Sequence, residues 1–125
     1  MAAKGIILLV EDEVDQAQVF SLLFEGAGYE VMHAQTGGEA LDILNKQEVD
    51  LLICDVVMPG MRGDEFVSKL RSDDRFSSLK VLALTAVEDE DSAKRLRQAG
   101  VADICLKSLR NEVLLSRVSE IIASS

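Results

Sequence analysis

Tryptophan is absent from this 125-residue chain, proline and histidine occur once each, and cysteine occurs twice. With four phenylalanines and one tyrosine as the only aromatics, a core has to be assembled from Leu, Val, Ile and Ala. The two cysteines, Cys54 and Cys105, supply neither a disulfide framework nor a CxxC metal pair, which points to a reducing, cytoplasmic setting. Long apolar runs are also missing. The longest, Ile6–Val10, falls far short of the ~18 residues a membrane span requires. The opening Met1-Ala2-Ala3-Lys4-Gly5 leads towards Glu11-Asp12-Glu13 without the plan of a signal peptide. Positive charge is scarce: Lys and Arg total 13 against 22 Asp and Glu, a formal net charge of −9. Duplex nucleic acid and anionic lipid would be repelled, so neither is expected as a direct partner.

What is present fits one domain, 1–125, at the usual ~150 residues per domain. Apolar residues make up 48% and charged residues 28%, which suits a folded globular chain and not a disordered one. There is no internal repeat, low-complexity tract or Pro/Ser-rich linker. Five short aliphatic or β-branched runs recur: Ile6–Val10, Glu30–Ala34, Leu51–Cys54, Val81–Leu84 and Asp103–Leu106. Each is followed by an amphipathic stretch with helical spacing. The first such stripe carries Val14, Ala17, Phe20, Leu23, Phe24 and Ala27 and stops at Gly26 and Gly28. The second opens on Thr36-Gly37-Gly38-Glu39, a capping box, with Ala40, Leu41 and Leu44 on its apolar face. Phe66, Val67 and Leu70 mark the third; Ala93, Leu96 and Ala99, closed by Gly100, mark the fourth. The fifth has Val113 or Leu114, Val118, Ile121 and Ile122, with Ser108 or Asn111 as candidate cap.

Alternating strand and helix predicts an α/β domain: a doubly wound, five-stranded parallel sheet flanked by five helices, with strand order 2-1-3-4-5. Ile6–Val10 and Leu51–Cys54 are apolar throughout, as strands covered on both faces should be. In that order Cys54 and Cys105 are held apart by the fourth strand, so they are expected to stay free thiols.

In such a sheet, functional groups collect beyond the carboxyl ends of the strands. Glu11 and Asp12 follow the first run, Asp55 the third, Thr85 the fourth and Lys107 the fifth. Each has an ordinary reading by itself. An acidic pair can be a solvated turn or a helix cap, Asp55 can start a turn, Thr85 can cap a helix, and Lys107 can be a surface charge. Together they put three carboxylates, a hydroxyl and an ammonium on one edge. Clustered carboxylates need a cation to stay ionised, and an oxygen-only set with few protein ligands suits Mg²⁺. One carboxylate could then attack a phosphoryl group, with Lys107 and Thr85 assisting its oxygens. The lone histidine, His33, is read as structural or surface, on an edge strand far from this cluster. The acidic run Glu88-Asp89-Glu90-Asp91 is read as complementing the dipole of the fourth helix.

At these residues the chain resembles the receiver domain of bacterial two-component response regulators. The matching pieces are Val10-Glu11-Asp12-Glu13, Asp55-Val56-Val57-Met58-Pro59-Gly60, Leu84-Thr85-Ala86, and Lys107 after Gly100-Val101-Ala102-Asp103. The likeness spans about residues 5 to 122. It implies a flavodoxin-like receiver fold with Asp55 as phosphoacceptor. It implies Glu11, Asp12, Asp55 and the main-chain carbonyl of Val57 as Mg²⁺ ligands, with Thr85 and Lys107 as phosphate partners. A sensor histidine kinase or phosphotransfer protein would be the donor, an output domain or effector protein the recipient of the signal. Such a domain catalyses only its own aspartyl phosphorylation and dephosphorylation. Two positions depart from the family pattern: Ile104 stands where an aromatic is usual, and Ser108 where a proline is usual. The first places switching on Thr85 and the loop after it; the second makes a trans Lys107–Ser108 bond the expectation. A pseudo-receiver that only binds partners is an alternative, disfavoured by the full site. An aspartate-nucleophile phosphatase is another, disfavoured because Val57 occupies the place of its second aspartate and little chain remains for a substrate cap. A flavodoxin-like cofactor binder would need a phosphate loop where Glu11-Asp12-Glu13 stands.

Overall fold

The computed structural model describes residues 3–58, 61–86 and 89–124. Five parallel strands form the central sheet: β1 (Ile6–Val10), β2 (Glu30–Ala34), β3 (Leu51–Asp55), β4 (Val81–Thr85) and β5 (Asp103–Leu106), in the order β2-β1-β3-β4-β5. Each of the five expected runs is a strand, and β3 and β4 extend one residue further to take in Asp55 and Thr85. The helices are α1 (Val14–Gly26), α2 (Gly37–Lys46), α3 (Gly63–Arg71), α4 (Glu90–Ala99) and α5 (Asn111–Ala123). Two small elements carry no apolar period and were not expected. They are an antiparallel pair, Val57–Met58 with Met61–Arg62, and a 3-10 turn at Asp74–Phe76.

Strand alternation divides the core between the two faces of the sheet. Ile7 and Leu9 join Leu51, Ile53, Leu82, Leu84 and Cys105 under α1 and α5 (Phe24, Leu114, Val118). Leu8 and Val10 join Leu52, Cys54 and Val81 under α2 and α3 (Ala40, Leu44, Phe66, Val67, Leu70). Both faces are covered, so β1 and the first four residues of β3 are buried almost throughout, which is why they read as unbroken apolar runs. Cys54 and Cys105 are buried free thiols on β3 and β5, with β4 between them.

Helix ends follow the expectations in part. Thr36 caps α2 by accepting from the Glu39 amide, but the Glu39 carboxylate reaches the Gln35 amide and not that of Thr36, a capping box displaced by one residue. Gly100 closes α4 with φ 106°, a left-handed conformation that a Cβ would strain. Asp89 caps α4 by accepting from the Asp91 amide; Glu88 lies outside the described residues, as do Pro59 and Gly60. Neither Ser108 nor Asn111 caps α5. Its N-cap is Arg110, without a side-chain capping bond, and Asn111 is already its first helical residue. Val14 does not belong to the buried stripe of α1: as the first residue of the helix it faces solvent at 56% exposure. No helix among the described residues is long and apolar enough to cross a membrane.

Candidate functional site

Glu11 and Asp12 follow β1, Asp55 and Thr85 end β3 and β4, and Lys107 follows β5, so the sheet order delivers all five side chains to one edge. Oxygens of Glu11, Asp12 and Asp55 lie within 4.8 Å of one another. Two full charges at that separation repel by on the order of 3 kcal/mol at an effective dielectric near 20. The repulsion is relieved on one side by Lys107. Its Nζ lies 3.1 Å from Glu11 Oε1 and 3.3 Å from Asp55 Oδ2, and it donates to Gln16 Oε1 at 2.7 Å. Main-chain bonds lock the frame: the Lys107 amide donates to the Thr85 carbonyl at 2.7 Å, and the Val56 amide to the Leu84 carbonyl at 3.2 Å.

Glu11 is the one buried charged residue among those described, at 2% exposure. Burial, then the hydrogen bond and charge of Asp55, push its carboxyl up to about 7, and Lys107 offsets this only in part. Burial works against the Lys107 charge as well, yet Asp55 and Glu11 outweigh it and hold the ammonium above its ordinary range. Cys54, the residue before Asp55, donates its thiol to the Asp55 carbonyl, and burial pushes that thiol up.

A cleft of about 440 Å³, lined by Asp12, Gln16, Asp55, Thr85, Asp89 and Lys107 among others, opens over the acidic group. The donor set is oxygen only and suits a hard divalent ion. Two oxygens on one Mg²⁺ sit at most ~4.2 Å apart, so the 4.8 Å cluster closes on such an ion with a small movement of side chains. The chemistry of the residues therefore fits the cation.

Three neighbours of the site carried no sequence signal strong enough to find them. Gln16, a half-buried residue of α1, binds Lys107; a lone helix glutamine has many ordinary readings. Gly63 opens α3 against the backbone at the end of β3: a Cβ there would lie 2.7 Å from the Asp55 carbonyl oxygen and 3.0 Å from Val56 Cα. Its amide donates to the Val56 carbonyl at 2.8 Å. His33 is the third, and its expected place is corrected here. Far from being remote, its Nε2 lies 2.7 Å from the main-chain oxygen of Glu11. β2 is an edge strand, but it borders β1 directly, so its carboxyl end is one strand spacing from the acidic turn.

An acidic trio and a lysine thus meet at the carboxyl edge of a five-stranded doubly wound sheet, the edge at which open α/β sheets bind ligands. A family model, the response regulator receiver domain, matches residues 7–119, and the chain belongs to that family. It is 30% identical over 118 residues to the polar-differentiation response regulator DivK of Brucella anthropi, covering 94% of this chain and 93% of that one. It is 37% identical to hybrid signal transduction histidine kinase D of Dictyostelium discoideum, covering 92% of this chain but only 7% of that protein's length. Among solved structures it superposes on the chemotaxis response regulator CheY4 of Vibrio cholerae with a TM-score of 0.86 at 30% identity, covering 97% of this chain and 99% of that one. The receiver domain of sensor histidine kinase PA1611 from Pseudomonas aeruginosa, crystallised with a magnesium ion in its active-site cleft, shares the fold at a TM-score of 0.88 and 24% identity, covering 99% and 100%. Receiver domains are signalling domains that interact with histidine kinases and phosphotransfer proteins.

Proposed function

We propose that the chain accepts a phosphoryl group on Asp55 from the phosphohistidine of a sensor kinase or phosphotransfer protein. The observation that carries this reading is the grip of one ammonium, Lys107, on both Glu11 and Asp55 within the acidic trio. An Asp55 carboxylate oxygen forms the bond to phosphorus as the phosphorus–nitrogen bond of the donor breaks, and the imidazole leaves with the bonding pair. Glu11, Asp12, Asp55 and the Val57 carbonyl hold Mg²⁺. When bound, the cation supplies positive charge against the phosphoryl oxygens and the clustered carboxylates. Lys107 contributes a second positive charge and Thr85 a hydroxyl donor at the same oxygens. Thr85 and Ile104 also line a smaller cavity of about 80 Å³ between α4 and the β4–β5 edge. We take that space as the room in which Thr85 and the loop after it respond, with Ile104 staying in place on β5. The whole of 1–125 is taken as one domain, with its core over residues 5–122, acting in the cytoplasm on an output domain or effector protein.

The test is incubation with a small phosphodonor such as acetyl phosphate. Wild type is expected to gain one phosphoryl group in Mg²⁺ and none with chelator. Asp55→Asn, whose amide is not a nucleophile, gains none. A variant phosphorylated as well as wild type would overturn the assignment.

A further inference from the structure

We propose that His33 is a positioning residue for the cation-binding turn, fixing the Glu11–Asp12 peptide through its ring. The inference rests on the phosphoacceptor reading of the site above and adds a residue to it. A carbonyl oxygen can only accept, so the 2.7 Å contact between Nε2 and Glu11 O places the hydrogen on Nε2.

The position of the ring follows from how the two strands end. β1 and β2 pair in register from Ile6 opposite Glu30 to Val10 opposite Ala34, and the Glu11 amide adds one more rung to the Ala34 carbonyl at 3.0 Å. Beyond that point β2 turns away. The Gln35 amide goes to Glu39, and Thr36 becomes the cap of α2. The carbonyl of Glu11 then receives its hydrogen from the His33 side chain, which reaches forward from β2 and takes the place of the next rung.

The consequence lies in the peptide plane. Glu11 O and the Asp12 amide belong to the same rigid unit. Holding the oxygen fixes the plane, and the plane sets the direction in which Asp12 leaves its Cα. Asp12 and Glu11 are two of the three carboxylates gathered within 4.8 Å. A turn without the anchor would present the same oxygens over a wider range of directions, and a cation would have to order them on binding.

His33 is an exposed edge-strand residue, so substitution leaves the core untouched. The variants are His33→Ala, which removes the donor, and His33→Gln, whose Nε2 sits at a similar reach from Cβ and restores it. His33→Asn carries a donor that is too short. Amide spectra of the ¹⁵N-labelled protein are recorded first without metal and then through a titration with MgCl₂ alone. In the metal-free spectra the Asp12 amide is expected to move in the Ala and Asn variants and to return towards wild type in the Gln variant. Mg²⁺ affinity should fall about 3- to 10-fold in Ala and Asn and recover in Gln, as one lost hydrogen bond implies. An unmoved Asp12 amide in His33→Ala, or a Gln variant as impaired as Ala, would overturn the proposal. Failure of wild type to bind Mg²⁺ would instead overturn the functional reading, and the metal-free Asp12 amide would still decide the role of His33.

Discussion

Lys107 is the residue on which the site turns. It makes three polar contacts from one ammonium, to Glu11, Asp55 and Gln16, and its amide ties β5 to Thr85 on β4. A phosphoryl group on Asp55 would draw the ammonium from Gln16 and Glu11 towards new oxygens, and the pull would be passed to β5. Lys107→Ala is therefore expected to keep Mg²⁺-dependent phosphorylation while losing most of the response. With beryllofluoride as phosphoryl mimic, amide shifts in β5 and α5 should shrink well below those of wild type. An identical shift pattern in the variant would remove Lys107 as the coupler. At this scale the sequence was readable where chemistry is unusual. Three carboxylates, a threonine and a lysine at four strand ends have a joint meaning that none has singly. Gln16 and His33 were not readable because their contribution is a single hydrogen bond each, and nothing in a lone glutamine or histidine says where it ends.

Elements were legible in proportion to their burial. β1 and β3 are enclosed by helices on both faces, so their composition alone declares them. The start of α5 was misplaced because its N-cap, Arg110, makes no side-chain capping bond that residue type could announce. The Val57–Met58 and Met61–Arg62 pair has two residues per strand, too few for any period. The element that matters most for the site is the start of α3. Its first residue packs directly on the backbone of Asp55 and Val56, and only glycine allows the approach. Gly63→Ala places a methyl 2.7 Å from the Asp55 carbonyl oxygen, so the backbone at 55–56 has to shift. Overpacking of this kind costs about 1–3 kcal/mol. A thermal melt should report that loss, and the rate of phosphorylation by acetyl phosphate should fall by at least tenfold. Gly26→Ala, at the end of α1, is the control, since a Cβ there meets nothing within 4 Å. Equal rates in Gly63→Ala and wild type would show that the proposed phosphorylation does not depend on this contact.

The whole molecule carries a formal charge of −9, and part of that charge is concentrated at one edge of the sheet. Two effects of salt follow and can be separated. Sodium chloride screens the general self-repulsion and should raise the melting temperature gradually without saturating at low concentration. Magnesium chloride at matched ionic strength should add a saturable increment, because binding to the native state alone stabilises by mass action. Asp12→Ala should keep the first effect and lose most of the second; a Mg²⁺ increment undiminished in that variant would place the ion elsewhere. The topology was accessible from sequence because alternation of strand and helix admits few right-handed parallel arrangements, and the strand ends in the 2-1-3-4-5 order are the ones the acidic residues follow. The central claim remains the identity of the acceptor. An aspartyl phosphate is an acyl phosphate, and borohydride reduces it to homoserine at the residue that held the phosphoryl group. Peptide mass analysis after phosphorylation in Mg²⁺ and borohydride treatment should find homoserine at position 55 and, in the chelator control, aspartate there. Homoserine at any other aspartate, with position 55 unchanged, would contradict the account.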